Sequence, residues 1–413
     1  MHTMIEEIIL LSQELIKIKT KSYRRFFIQK TKLTEQLSIL IGQRGVGKTT
    51  ILVQYLLDYA NGDRLSSKIL YVQSDHLLLG RLRLYDIARE FQLLGGELIV
   101  FDEIHKYPGW SIELKSIYDT FSALRVIASG SSALEITQGS HDLSRRALVY
   151  HIPGLSLREY LELTLNLQFP VLGLDEILTK HANLSESILQ TLANINVRIL
   201  PQFYDYLRHG YYPYWDELKD DIKFKMTVEQ NIHTTLEADI PAIYPKLTAY
   251  SIQKVEQLFI FIAENAPFTP NFHELKKILE IGDERTLKTY FKYLSDAELI
   301  SIMQSASKKL SKIQKKEKMY LQNPNIIYAL APTASNKGTI REVFFKNMLS
   351  QNYKLTLPHE GDFLINNRWH FEVGGEKKNI KQIYHIKDSY LACDGIEQGI
   401  NKKIPLWLFG FCY

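Results

Sequence analysis

Two cysteines in 413 residues, Cys393 and Cys412, are too few for a disulfide framework or a cysteine-rich metal site. Their scarcity fits a reducing compartment, and both thiols are expected simply to pack. No window approaches the roughly 18 consecutive apolar residues of a membrane span, so no membrane partner is expected. Charge of one sign is missing as well, because 50 Lys and Arg stand against 46 Asp and Glu for a net +4. So slight a surplus names no partner, and a nucleic-acid signal has to come from local clusters. Sequence repeats and extended low-complexity tracts are lacking too. Residues 1–30 begin with Ile5, Ile8, Ile9, Leu15 and Ile16 at helical spacing, broken by Glu6, Glu7 and Glu14. That pattern is an amphipathic helix, since a secretory leader needs an uninterrupted apolar centre. The expectation is a cytoplasmic globular chain, long enough for two to four domains.

Against this plain background stands Gly42-Gln43-Arg44-Gly45-Val46-Gly47-Lys48-Thr49, which fills every fixed position of G-x-x-x-x-G-K-[ST]. The run Leu37-Ser38-Ile39-Leu40-Ile41 before it suits a buried parallel strand, and the residues from Thr50 to Leu57 have helical spacing. A strand, a glycine-rich turn and a helix turn successive N–H groups and a helix N-terminus toward phosphates. Residues 42–50 are therefore expected to bind ATP. Lys48 would reach the β- and γ-phosphates and Thr49 would take a Mg²⁺ position.

Further along, Lys68-Ile69-Leu70-Tyr71-Val72-Gln73 reads as a second strand, and Leu98-Ile99-Val100-Phe101 as a third that closes on Asp102 and Glu103. Asp102 is expected to help hold Mg²⁺, and Glu103 to orient or deprotonate the attacking water. A fourth strand, Leu124-Arg125-Val126-Ile127-Ala128, leads into Ser129-Gly130-Ser131-Ser132, where Ser131 or Ser132 could sense the γ-phosphate. Arg145 and Arg146 follow, and Arg146 could place a guanidinium on the transition state from the same chain or from a neighbouring subunit. The expected fold class is α/β, a P-loop NTPase with a parallel sheet flanked by helices.

These residues also carry a resemblance. The runs Phe101-Asp102-Glu103-Ile104-His105-Lys106-Tyr107-Pro108-Gly109-Trp110, Ser129-Gly130-Ser131-Ser132-Ala133-Leu134-Glu135-Ile136 and Gly154-Leu155-Ser156-Leu157-Arg158-Glu159-Tyr160-Leu161 resemble a prokaryotic AAA-type ATPase family related to the archaeal-type ATPases. The resemblance is close over about residues 30 to 165. It implies an ATPase domain over 31–165, followed by a helical lid over 166–250.

Residues 251–330 read as a winged helix-turn-helix. Helical spacing runs from Ile252 to Glu264, through Phe272, Leu275 and Ile278, and through Leu287, Phe291 and Leu294; two strands then flank a lysine-rich tip. Arg285, Lys288 and Lys292 fall on the polar face of the third helix, and Lys308, Lys309, Lys312, Lys315, Lys316 and Lys318 crowd the tip. Such a module could grip double-stranded DNA through its phosphates, or bind a protein.

Residues 331–413 resemble the restriction-endonuclease-like PD-(D/E)XK fold that often closes proteins of this family, as a small α+β domain. The resemblance implies a metal-binding set of Glu342, Asp362 and Glu372, with a lysine two residues past the last glutamate. Gly374 stands there instead, and Lys377 and Lys378 could reach in only if the strand ended early. That counts against nuclease activity. The residues from Ile404 to Phe411 are expected to form a final buried strand. The expected function is ATP hydrolysis that repositions the winged-helix region. The alternatives are a slow ATP-gated switch for a protein partner and an ATP-controlled nuclease, and a homo-oligomer is compatible with each.

Overall fold

The computed structural model describes residues 2–80, 82–130, 143, 145–244, 246–305, 317–331, 336–380 and 382–413. They divide into two compact units. The first comprises Met1–Pro153 with Glu237–Lys246, and the second Gly154–Leu236 with Leu247–Tyr413.

The first unit is built on five parallel strands, β1 (Leu37–Ile41), β2 (Ile69–Gln73), β3 (Leu98–Asp102), β4 (Arg125–Gly130) and β5 (Ala147–His151), in the order β2-β3-β4-β1-β5. Both faces of an all-parallel sheet are covered, so the strands β1 to β4 read as nearly unbroken apolar runs. Helices α1 (His2–Lys19), α2 (Phe26–Lys30), α3 (Lys48–Tyr59), α4 (Leu84–Leu93) and α5 (Trp110–Thr120) belong to the same unit. The amphipathic N-terminal helix belongs to this unit, burying Ile5, Ile8 and Ile16, and its Ser12 hydroxyl accepts the Tyr71 N–H at 2.8 Å. Strand β5 has no counterpart in the sequence reading. Strand β4 runs to Gly130, two residues further than its apolar run suggests.

The order of the sheet decides what meets at its carboxyl edge. Strand β4 lies between β1 and β3, with Leu40 level with Ser129 and Phe101 level with Ala128. The ends of three adjacent strands thus bring Gly42, Ser129 and Asp102 to one place, as parallel sheets generally gather their ligands.

In the second unit, α6 (Leu157–Leu165) starts from a capping box between Ser156 and Glu159. It is followed by α7 (Leu174–Ala193), α8 (Ile199–Asp205), α9 (Trp215–Leu218) and α10 (Asp221–Thr234), and the four-residue helix α11 (Ile240–Ile243) lies within the returning segment of the first unit. Then come α12 (Ala249–Asn265), α13 (Phe272–Ile278) and α14 (Glu284–Asp296), with Asp283 capping α14, and the antiparallel pair β6 (Ile300–Gln304) and β7 (Glu317–Leu321). The lysines at 308, 309, 312, 315 and 316 lie outside the described residues.

After α15 (Pro324–Leu330), helix α16 (Lys337–Leu349) packs on a mixed sheet of β8 (Leu355–Thr356), β9 (Phe363–Ile365), β10 (Trp369–Gly374), β11 (Ser389–Cys393) and β12 (Lys403–Pro405). Strands β9 and β10 pair antiparallel, β10 and β11 parallel. Phe345 centres this core, its ring 4.9 Å from that of Phe409, 5.0 Å from Phe371 and 5.1 Å from Phe363. The expected final strand is short, because Leu406–Phe411 coils into a 3₁₀ turn whose every side chain is buried. An apolar run of that length fits either form, and here packing decides. Cys393 and Cys412 are free and buried, and burial pushes the Cys412 thiol up to about 12.

Candidate active site

The loop between β1 and α3 has the shape its glycines permit. Gly45 and Gly47 adopt φ of 84° and 95°, where other residues are strained. At Gly42 a β-carbon would stand 2.3 Å from the Ile152 carbonyl oxygen, so no side chain fits. Lys48 is buried, and its Nζ donates to the Gly42 and Gln43 carbonyls at 2.7 and 2.8 Å. The loop thus caps its own lysine. Arg25, before the motif, braces the loop from behind by donating to the Val46 carbonyl at 2.7 Å and the Pro153 carbonyl at 2.9 Å. No sequence motif marks that arginine.

Asp102 ends β3 at 2% exposure and collects three hydroxyls. Thr49 Oγ1 donates to its Oδ2 at 2.7 Å, Tyr71 OH to the same oxygen at 2.5 Å, and Ser129 Oγ to Oδ1. Burial, then the neighbouring Asp102 carboxylate, drives the Tyr71 phenol far above its ordinary pKa, so it stays a donor. The next peptide N–H, that of Glu103, donates to Asp102 Oδ1 and to Ser129 Oγ, both at 3.2 Å. Tyr71 and Ser129 were not singled out in the sequence. Ser129 could have been found, since a serine closing a strand that neighbours β3 faces the same edge.

Glu103 stands in left-handed backbone, φ 55° and ψ 39°. A glutamate there is strained, and such strain gathers at functional sites. Its Oε2 is buried and has no hydrogen-bond partner among the described residues. His105 Nε2 lies 3.7 Å away and Lys106 Nζ 3.6 Å, both beyond hydrogen-bonding reach. Lys106 pairs with Asp75, whose carboxyl burial would raise but which Lys106 and Gln73 hold below its ordinary value. Arg44 Nη2 meets both oxygens of Asp239, while its buried Nε has no hydrogen-bond partner among the described residues.

The loop of 42–50, Asp102 and Glu103 therefore come together. Arg146 forks onto Asp119, Nε to Oδ1 at 2.7 Å and Nη2 to Oδ2 at 3.1 Å. Ser131 and Ser132 lie outside the described residues.

A second cluster forms in the other unit. Glu342 Oε2 on α16 accepts from Lys318 Nζ at 2.7 Å and from Tyr320 OH at 3.0 Å, and burial raises its carboxyl pKa against the pull of Lys318. Asp362 Oδ2 accepts the Val373 N–H at 2.8 Å. Strand β10 ends at Gly374, and the chain then turns so that Lys378 Nζ comes 2.8 Å from Glu372 Oε1. A β-carbon at Gly374 would stand 2.6 Å from both Cβ and Cγ of Lys378. The stem of Lys378 thus fills the space where a side chain at 374 would begin.

Residues 34–161 match the family model described as an AAA domain, and residues 200–337 match a domain of unknown function, DUF8612. An uncharacterized protein of Methanocaldococcus jannaschii is 29% identical over 401 residues, covering 90% of this chain and 82% of that protein. Among solved structures, PCH-2 of C. elegans is similar at 14% identity and a TM-score of 0.25, covering 70% of this chain and 68% of that one. AMPPCP-bound DnaA from Aquifex aeolicus is similar at 13% identity and a TM-score of 0.26, covering 70% and 88%. With its five parallel strands, flanking helices and phosphate loop, the first unit has the α/β fold of a P-loop NTPase and carries an AAA-type domain. No described helix is long and apolar enough to cross a membrane.

Proposed function

We propose that the first unit binds ATP with Mg²⁺ and hydrolyses it. One observation carries this reading. Asp102 is saturated with hydroxyl donors, while its neighbour Glu103 holds a buried carboxylate oxygen that accepts from nothing described. A buried acceptor without a hydrogen bond beside a phosphate loop suits a water that must be oriented and deprotonated. The donor set fits a magnesium ion too, since Thr49 Oγ1 and Asp102 Oδ2 present two hard oxygens 2.7 Å apart. When bound, Mg²⁺ would neutralise charge on the β- and γ-phosphates.

The chain's own groups supply the rest. Lys48 exchanges the carbonyls of Gly42 and Gln43 for phosphate oxygens, and the N–H groups of Gly45 to Thr49 with the α3 N-terminus face the same charge. Arg44 Nε is a further buried donor in that loop. Ser129 ties Asp102 to the Glu103 peptide, so that the Mg²⁺ position and the water-activating carboxylate share one frame. Arg146 supplies a guanidinium once it leaves Asp119, and Ser131 is the candidate sensor. The test is ATP turnover with Glu103→Gln as control. Turnover in the wild type that vanishes in the variant, with ATP binding kept, supports hydrolysis. Equal, negligible rates would leave a nucleotide-gated switch.

Double-stranded DNA is the partner this reading assigns to 251–330. Arg285, Lys288 and Lys292 stand exposed on α14, three helices are followed by a β-hairpin, and such an arrangement can dock a helix in a groove while a wing meets the backbone. Turnover that rises with DNA and falls back with added salt supports it, whereas indifference to DNA points to a protein partner.

Lys378 gives the C-terminal cluster a reading as a Mg²⁺-dependent nuclease under ATP control. Its ammonium lies beside Glu372, and its stem lies over the glycine that stands where the expected lysine is missing. Cutting that needs Mg²⁺ and is lost in Asp362→Ala and in Lys378→Ala supports this. Unchanged cutting in both variants refutes it.

A further inference from the structure

Asp239 reaches the nucleotide site from far along the chain. It belongs to Glu237–Lys246, which packs with the first unit although the chain on both sides, Gly154–Leu236 and Leu247–Tyr413, builds the second. Its side chain is 5% exposed. A carboxylate so buried persists only with cationic or hydrogen-bonding partners. Arg44 of the phosphate loop supplies one, its Nη2 lying 3.1 and 3.3 Å from the two carboxylate oxygens. The oxygen nearer Arg44, Oδ1, also lies 3.8 Å from Nε2 of the buried His105, and that nitrogen lies 3.7 Å from Glu103 Oε2. Arg44, Asp239, His105 and Glu103 form a row from the loop that meets phosphates to the carboxylate that meets water.

The turn bearing Glu103 needs such a brace. Its backbone is left-handed at Glu103, and its side-chain approaches to His105 and Lys106 are longer than hydrogen bonds. Asp102 and Ser129 hold the Glu103 peptide, and at its side chain the buried His105 stands between Glu103 Oε2, 3.7 Å from its Nε2, and Asp239 Oδ1, 3.8 Å from the same nitrogen.

We propose that Asp239 is a positioning residue for hydrolysis. Through Arg44 and His105 it fixes Glu103 against the phosphate loop. The proposal rests on the reading of the first unit as an ATPase. It differs from a merely structural role in what it moves: the rate of the bound complex, and not its affinity.

The experiment compares full-length wild type, Asp239→Asn, Asp239→Glu, Arg44→Gln, the double variant Asp239→Asn with Arg44→Gln, and Glu103→Gln. ATP turnover and the affinity for a non-hydrolysable ATP analogue are both measured. In Asp239→Asn, nearly isosteric, kcat falls on the order of 10- to 100-fold, as for a misplaced catalytic group, while KM and the analogue Kd stay within about twofold. Asp239→Glu, which keeps the charge, recovers part of the rate. The double variant is no slower than the slower single one, because both break the same row. A raised KM with kcat intact, or losses that multiply in the double variant, would overturn the proposal. A wild-type rate no higher than that of Glu103→Gln would overturn the ATPase reading and this inference with it. An active wild type matched by Asp239→Asn overturns this inference alone.

Discussion

Replacing Lys346 by methionine should stabilise the protein at neutral pH, and the gain should disappear in alkali. Lys346 lies one turn beyond Glu342 on α16 at 6% exposure. Among the described residues its Nζ has no carboxylate partner, only the Tyr320 ring at 5.9 Å from the centroid. Burial alone lowers its pKa from 10.5 to about 8. A depressed lysine pKa means that the folded chain releases its proton more readily than the unfolded one. Below pH 8 both states are protonated, and the fold carries the full penalty of a buried charge. Between pH 8 and 10.5 the unfolded state holds more proton, so stability rises with pH; above 10.5 both are neutral and the penalty is gone. At 1.36 kcal/mol per pKa unit the penalty is about 3 kcal/mol at pH 7. Lysine to methionine nearly conserves apolar volume, so repacking costs below about 1.5 kcal/mol and does not reverse the sign. Urea unfolding of wild type and Lys346→Met at intervals from pH 7 to 10.5 checks this, since groups common to both cancel in the difference. A variant less stable at pH 7, or a difference flat across that range, would refute the reasoning.

Two further outcomes test the nucleotide site. Ser129→Ala leaves the Glu103 N–H and Asp102 Oδ1 each without one partner in a buried place, so stability falls by about 1–3 kcal/mol. Turnover should fall on the order of tenfold or more with ATP affinity nearly kept, and a rate equal to wild type in steady-state assays would show that Ser129 does not hold this frame. Arg146→Ala discriminates how its guanidinium acts. If it acts between subunits, turnover per subunit rises with protein concentration in the wild type and not in the variant, and concentration-independent turnover refutes that role.

How far the sequence could be read depended on whether a function is written in neighbouring residues. The phosphate loop is consecutive, and its glycines, Lys48 and Thr49 are fixed by local geometry; Asp102 and Glu103 follow because an apolar strand that ends in two carboxylates is also a local pattern. The sequence points to Ser131 or Ser132 rather than Ser129, since only the sheet order, which inserts β4 between β1 and β3, says which serine faces Asp102. Strand β5 left no signal because it is an edge strand whose Leu148 and Val149 are exposed, so neither alternation nor a buried run marks it. Lys378 was noted and its position left open, because the early end of β10 that brings it back over Gly374 is a property of the turn. By its spacing from His233 and Glu237, Asp239 reads as a solvated helix end, yet it is buried against Arg44, 195 residues earlier. No period or motif spans such a separation.

The return of Glu237–Lys246 to the first unit also sets a clock on biosynthesis. A ribosome that has released Pro153 has delivered the phosphate loop, Asp102 and Glu103, yet Arg44 and His105 still lack their carboxylate. Residues 154–236 must be translated first, a lag of about 4–17 s at about 5–20 residues per second. During that interval the row of charges is unfinished. Maturation of the site is thereby made to wait for about the first third of the second unit, so a chain arrested early has a phosphate loop without Asp239.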